Sequence, residues 1–487
     1  MTRADTQARK RAIIIDDDGD IVYADEARQG PEAFLSLRMR DCLAAGVDSV
    51  AWCVMWGIGH KGGTPLRYWQ TQRQARPFQP NMPDPTPVIT GFGRAHDIEV
   101  FGSIRMNDCH DAFGIPLGRV VYPLKVDHPD WLIGQGACRP FNVDAGLENA
   151  LWSGMDYARE QVRTDRLWWI DHSARNYDFD GIDLNFFRMP VLFKLGKEAE
   201  NIWVMNDFVR QARRRIDEVG AQRGRRLLMG VRVPGTIESC LRIGIDIETW
   251  LRDGLVDRLL TGGGYVCYST PAEQLIRLGH RYNVPVYPCI NCPGAFGLGG
   301  DSLRAAASNL WWAGADGLYL WNFQYLPVDS LGHGRVASHV YQEHLGEIAD
   351  PKRLTWLDKS FPVNQRAWPQ YQRASADVPL PVVLGPRPAA IPVRIGDDVP
   401  DAVRRARLGE ATLRLQLQGA VAGDRIAVAF NDQTCELTVG DEVSLAVPLE
   451  PRAIKQGVNQ VSIAASAGPA RGKLTLEHVR VDVRYRS

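Results

Sequence analysis

Eight short β-rich runs, separated by stretches of helical character, occupy the first 345 residues of this 487-residue chain. They are RAIIID (11–16), VDSVAWCVM (47–55), IEVFGSIRM (98–106), FDGIDLNFF (179–187), RLLMGVRV (226–233), VDRLLTG (256–262), VPVYPCI (284–290) and DGLYLWNF (316–323). Helical patterns lie between them at 31–45, 160–176, 197–219, 237–253 and 302–313. Strands alternating with helices call for an α/β fold with a parallel sheet, and eight repeats predict its closure into a (β/α)8 TIM barrel. A doubly wound open sheet is the alternative. It is disfavoured because no GxGxxG follows the first run and no Walker pattern occurs.

The chain changes character near residue 380. All 14 tryptophans fall between Trp52 and Trp368, whereas beyond Pro381 the only aromatic residues are Phe430 and Tyr485. At the change stands the Pro-rich stretch DVPLPVVLGPRPAAIPV, of the kind that joins domains. From Ala411 onward short alternating segments such as TLRLQLQG, DRIAVAFN and NQVSIAAS predict an antiparallel β-sandwich of about 100 residues. The expected division is a catalytic barrel over 1–350, a connecting segment over 351–393 and an accessory sandwich over 394–487. The sandwich lacks aromatic platforms for sugar and suits a structural role or a homodimer contact.

In a barrel the chemistry gathers on the loops that follow the strands. Two of these are long, 56–96 and 108–146, and carry Trp56, His60 and Trp69 in the first and His110, Lys125, His128 and Trp131 in the second. Loops of that length are usually functional walls. Strand ends contribute Asp16, Asp17 and Asp18 after the first run, and Arg105, Asn107 and Asp108 after the third. The fourth adds Asp183, Asn185 and Arg188, the fifth Arg232, the sixth Tyr265 and the seventh Asn291, while the eighth ends in Trp321, Asn322 and Gln324. This set holds no Ser-His-Asp arrangement, no HxH or HExxH pair and no lysine for a Schiff base, so neither metal nor cofactor is expected. The lone CxxC, Cys289 to Cys292, has no second ligand pair to complete a zinc site.

The segments FGSIRMNDCHD (101–111), YDFDGIDLNFFRMP (177–190), MGVRVP (229–234) and GADGLYLWNF (314–323) resemble those of the bacterial glycosyl-hydrolase-like family 10. The resemblance spans roughly residues 11–345 and implies a TIM barrel acting on glycosides. The family's pattern on the fourth strand, DGIELDFxRxP, has an acid where this chain has Asn185. More distantly, that strand is similar to the DxxDxDxE of chitinase-like glycosidases. Residues two apart in a strand share a face, so Asp183, Asn185 and Phe187 should line one side. Phe187 stands at the position of the chitinase acid and cannot protonate a leaving oxygen, which excludes substrate-assisted chitinase chemistry there.

Glycoside hydrolysis normally uses two carboxyl groups, whose separation sets the stereochemical outcome. The best pair in the sequence is Asp108, read as general acid in a partly desolvated loop, with Asp183 as base or nucleophile held ionised by Arg105 or Arg188. Reversed roles are equally open, and Asp17 with Asp16 or Asp18 forms a third candidate. For Asp183 the bland alternative is a buried ion pair that holds strand ends together. The arginines Arg105, Arg188 and Arg232, on three adjacent strands, point to an acidic sugar such as a uronate or a sulfated residue. Substrate contacts are expected from Asp17, Trp56, Arg105, Asn107, His110, Asn185, Arg188, Arg232, Tyr265, Asn291, Trp321, Asn322 and Gln324.

The expected activity is therefore a glycoside hydrolase, exo-acting on an oligosaccharide already imported. The alternatives are a non-catalytic carbohydrate-binding barrel and a metal-dependent hydrolase or lyase built on Asp16–Asp18, Asp108 and His110. Composition supports a soluble, cytoplasmic protein: 57 basic residues balance 57 acidic ones, which removes the electrostatic footprint of a nucleic-acid binder. The start, MTRADTQARKRAIIID, has no apolar run of signal length, and nothing approaches the roughly 18–20 apolar residues of a membrane span.

Overall fold

The computed structural model describes residues 9–17, 30–54, 59–61, 64–66, 84–109, 122–134, 151–263, 271–291, 300–321, 344–364, 379–439, 444–465 and 474–486. Eight parallel strands close into a barrel: β1 (Ile13–Asp17), β2 (Ser49–Cys53), β3 (Glu99–Arg105), β4 (Gly181–Asn185), β5 (Leu228–Val233), β6 (Arg258–Thr261), β7 (Val286–Asn291) and β8 (Leu318–Trp321). They follow chain order around the ring, with β8 returning to β1. Each strand is covered on both faces, which is why the runs read as continuously apolar rather than alternating. Outward residues such as Ile13, Ile15, Val50, Ile104, Leu184, Val231 and Leu320 join the helices in one large apolar cluster.

The barrel's described α-helices of six residues or more are α1 (Pro31–Ala44), α2 (Thr86–Ala95), α3 (Glu160–Asn176), α4 (Ile202–Gln222), α5 (Ile237–Arg242), α6 (Ile247–Arg252), α7 (Glu273–Arg281) and α8 (Gly300–Trp312). Two departures from the sequence reading have local causes. The single helix expected over 237–253 is two, because Asp246 starts a new one by accepting from the Thr249 N–H at 3.1 Å. Helix α2 falls inside the region read as a long loop, since TPVITGFGRA, with two glycines and several β-branched residues, has weak intrinsic helicity. It forms by burying Ile89 and Phe92 against the barrel's outer layer. No helix among the described residues is long and apolar enough to cross a membrane.

The C-terminal region consists of two antiparallel sheets. Its strands are β9 (Lys359–Pro362), β10 (Val382–Val383), β11 (Ala389–Ile395), β12 (Leu408–Gln418), β13 (Arg425–Phe430), β14 (Gln433–Thr438), β15 (Ser444–Pro448), β16 (Gly457–Ala465) and β17 (Thr475–Tyr485). One sheet has the order β9-β17-β12-β15, with β10 also on β17, and the other β11-β16-β13-β14. Alternate residues of both, among them Leu413, Leu415 and Val481 from one and Ile391, Val461 and Ile463 from the other, enclose a shared core. The segment 351–393 is thus more than a connector, because β9 and β10 pair with the last strand of the chain. Helix α8 docks this region on the barrel: Asn309 donates to the Arg394 carbonyl at 3.2 Å and accepts from the Gly396 N–H at 2.7 Å.

The barrel interior departs most from the usual filling of branched apolar side chains. Arg258 of β6 crosses the lumen, with Nε donating to Asp183 Oδ1 on β4 at 3.0 Å, Nη2 bonding Asp183 Oδ2, and Nη1 reaching Ser49 Oγ on β2 at 3.1 Å. The Phe101 ring lies against the guanidinium. Gly230 on β5 is required beside this pair, for a Cβ there would stand 1.9 Å from Asp183 Oδ1. Below it Arg11 pairs with Glu99 at 2.9 Å, and above it Arg232 pairs with Asp16 at 3.2 Å.

Removing one partner of a fully buried pair leaves an uncompensated charge, at a cost of about 3–5 kcal/mol. Arg258→Met is expected to lower unfolding stability by that amount in urea titration, and Asp183→Leu added to it to restore most of the loss. Equal stability of Arg258→Met and wild type would show that the lumen pair contributes nothing.

Candidate active site

The C-terminal ends of the strands bring a layer of charged side chains to one level. Arg105, Asn185 and Arg232 are in register on β3, β4 and β5. Arg232 spans the lumen to Asp16 on β1, its Nη2 lies 3.9 Å from Cys289 Sγ on β7, and its guanidinium covers the Tyr319 and Trp321 rings at 5.1 and 4.9 Å. Arg188, from the turn after β4, covers the same Trp321 ring at 5.3 Å. Trp321 therefore carries two guanidinium groups, a cation–π arrangement that holds both arginines at the mouth. Arg105 donates from Nη1 to Asp108 Oδ2 at 2.7 Å. In this described layer three arginines face two carboxylates.

The loop after β3 is fixed from behind. Asn107 donates to the Met155 and Val191 carbonyls at 3.0 and 2.6 Å and accepts from the Met155 N–H at 2.9 Å. Lys125 donates to the Asp108 carbonyl, and Arg166 lies between Asp165 at 3.1 Å and the Tyr122 ring at 4.9 Å. Burial pushes the Tyr122 hydroxyl well above its ordinary value, so it remains a donor to Asp165. His128 and Trp131 stack at 3.7 Å, leaving one indole face uncovered by that ring.

Several sequence expectations change in this light. Asp183 lies a layer below the mouth with both oxygens on Arg258, not on Arg105 or Arg188, and the structure does not bring it to Asp108. Asp108 is not in an apolar setting: its side chain is 26% exposed and ion-paired to Arg105, which suits an ionised carboxylate better than an acid. Asp17 takes the outward parity of Ile13 and Ile15, so Asp16 is the aspartate that enters the lumen. Asn107 is engaged with backbone, and Asn185 Oδ1 accepts from the Phe187 and Arg188 N–H groups at 3.2 and 2.9 Å, capping the turn. Phe187 packs in the outer apolar cluster and does not share the lumen face of Asp183.

Trp56, Trp69, His110, Tyr265, Asn322 and Gln324, and the side chains of His60 and Asn291, lie outside the described residues, as does Cys292. Of the metal set, Asp18 and His110 also lie outside them, and among the described residues no three metal-ligating side chains come together. Cys289 is buried, and desolvation pushes its thiol up to about 12, too high for a nucleophile at neutral pH. The residue that sequence reasoning missed is Arg258. It opens β6, and only the barrel's closure brings it to Asp183 on β4 and Ser49 on β2.

No protein-family model and no curated protein sequence matches the chain, so the resemblance to glycosyl-hydrolase-like family 10 gains no support there. Among solved structures it is similar to a GH36 alpha-galactosidase from Geobacillus stearothermophilus, at 13% identity and a TM-score of 0.39 over 94% of this chain and 56% of that one. It is also similar to alpha-L-fucosidase isoenzyme 2 from Paenibacillus thiaminolyticus (13%, TM-score 0.44, 70% and 49%) and to a family GH18 chitinase from Chromobacterium violaceum (10%, TM-score 0.42, 98% and 89%). The chain spans about half the length of the first two. What the barrel mouth can do is decided by its own residues.

If Asn107 is a backbone clamp, Asn107→Ala leaves two buried carbonyls without a donor, at about 1–3 kcal/mol. Thermal denaturation should register that loss. Unchanged stability with weakened sugar binding would return Asn107 to the substrate.

Proposed function

We propose that the protein is a glycoside hydrolase whose barrel mouth takes an acidic sugar. The observation that carries this reading is the shared stack of Arg188 and Arg232 on Trp321, with Arg105 at the same level. Guanidinium groups bind carboxylate or sulfate through paired N–H donors, and Trp321, itself buried, holds two of them side by side. Asp108, the partly exposed carboxylate of the layer, is assigned to the reaction as base or nucleophile, paired with Arg105. Asp16 orients Arg232, and Asp183 belongs to the scaffold beneath.

A second reading, a non-catalytic sugar-binding barrel, draws on one observation. Among the described residues the lumen carboxylates Asp16 and Asp183 are each bound to an arginine, whereas hydrolysis calls for two working carboxyl groups.

Assays on p-nitrophenyl glucuronide and p-nitrophenyl glucoside separate the two. Asp108→Asn should lower turnover by about 10²–10⁴-fold with the fold retained. Arg232→Met should raise KM for the glucuronide at least tenfold more than for the glucoside. Full activity of Asp108→Asn rejects its role, and equal KM changes reject the acidic sugar. Binding of glucuronide without product in wild type would favour the second reading.

A further inference from the structure

Between the barrel and the sheet region, on the far side of α8 from the lumen, lies a cleft of about 310 Å3. Its walls include Trp311 and Trp312 from the end of α8, Trp356 from the segment before β9, and Tyr485 from β17, with Asp397, Asp398, Asp401, Thr355 and Gln456 around them. Its volume lies at the lower end of the roughly 300–1,000 Å3 of small-molecule sites, and its mixture of aromatic walls and a few polar groups is typical of them. The adjacent residues Trp311 and Trp312 take different environments. Trp311 turns its indole N–H inward to the Ile348 carbonyl at 2.7 Å, whereas Trp312 stays 41% exposed.

Two backbone features accompany these rings. Gly457, at φ 103°, lies so close that a Cβ would meet the Trp312 ring at 2.8 Å, so this glycine lets the indole rest on the sheet region. Trp356 itself has φ 66°, a conformation rare for a bulky residue, and its ring meets Tyr485 edge-on at 5.6 Å. The barrel thus lends the sheet region the aromatic residues that its own sequence lacks.

We propose that this cleft is a binding site for a neutral saccharide, separate from the barrel mouth. The carboxylates favour a neutral polyol over a cation because their charge is already answered. Asp397 is held by Lys359 at 2.9 Å and by the Ser308 and Tyr485 hydroxyls, and Asp401 by Arg405 at 2.7 Å and Arg404 at 3.1 Å. Asp398 caps the turn below, accepting from the Asp401 N–H at 2.8 Å. The remaining acceptor lone pairs can take sugar hydroxyls while an exposed indole face covers the C–H face of the ring.

The test is titration of the full chain with cellotetraose, maltotetraose, mannotetraose and xylotetraose, followed by saturation-transfer NMR and tryptophan fluorescence. At least one should bind, and Trp312→Ala should weaken that binding tenfold or more. Thr355→Trp, which fills the cleft from its exposed rim, should do the same and covers the case in which Trp312→Ala fails to fold. Asp108→Asn at the mouth, which leaves the buried lumen pairs untouched, should leave this binding intact, so failure of the catalytic reading would not imitate failure here. The proposal is overturned if none of the four binds, if binding survives both cleft variants, or if tetramethylammonium binds in the cleft and the tetraoses do not.

Discussion

A file of arginines crossing the barrel lumen is the constraint on which the rest of the structure depends. Arg11 with Glu99, Arg258 with Asp183 and Ser49, and Arg232 with Asp16 each join strands that are not neighbours in the sheet. Isolated buried pairs give little net stability, because desolvation offsets most of the attraction. Their consequence is register. A slip of one residue on β4 or β6 would turn Asp183 or Arg258 out of the lumen and leave its partner charged and alone, so only one closure of the eight strands satisfies all three pairs. Small residues in the same layer, Gly230 and Ser49, give the guanidinium room to cross.

The topmost pair serves the mouth as well as the scaffold. Arg232 is fixed by Asp16 below and by the Tyr319 and Trp321 rings beside it, and Trp321 in turn receives Arg188. A cation held this way has already lost its side-chain entropy, which would preorganise the donor set for the acidic sugar proposed above. The layer behind β3 acts similarly on Asp108, where Asn107 and Lys125 anchor the loop backbone and Arg105 orients the carboxylate.

How much was legible in the sequence follows from which signals are local. The eight strands were visible because each is a short apolar run bounded by turn signals, and the observed strands fall within them or exceed them by one residue, as β1 and β7 do. Helix α2 was hidden because tertiary burial of Ile89 and Phe92, rather than propensity, forms it. The strands within 351–393 are not legible because β9 and β10 are short and pair with β17, more than 90 residues further on. At the mouth, Arg105, Arg188, Arg232 and Trp321 were named from their places at strand ends. Which of Asp16 and Asp17 enters the lumen is not legible, because IIIDD, buried on both faces, carries no alternation from which to read parity.

The sequence by itself determined the class of fold, the presence of an antiparallel β region at the C-terminus and the set of charged groups at the strand ends, since all three are written in local periodicity and composition. Only the tertiary structure decided which charges are spent on one another. Asp183 looks like a catalytic carboxylate until closure of the barrel places Arg258 against both its oxygens, and Trp312 looks like core until the sheet region settles beside it and leaves its ring at a cleft. Both outcomes depend on contacts between segments 75 to about 145 residues apart, and the physical reason is the same. A side chain's chemistry is set by the partner that desolvates it, and that partner is chosen by the fold rather than by its neighbours in the chain.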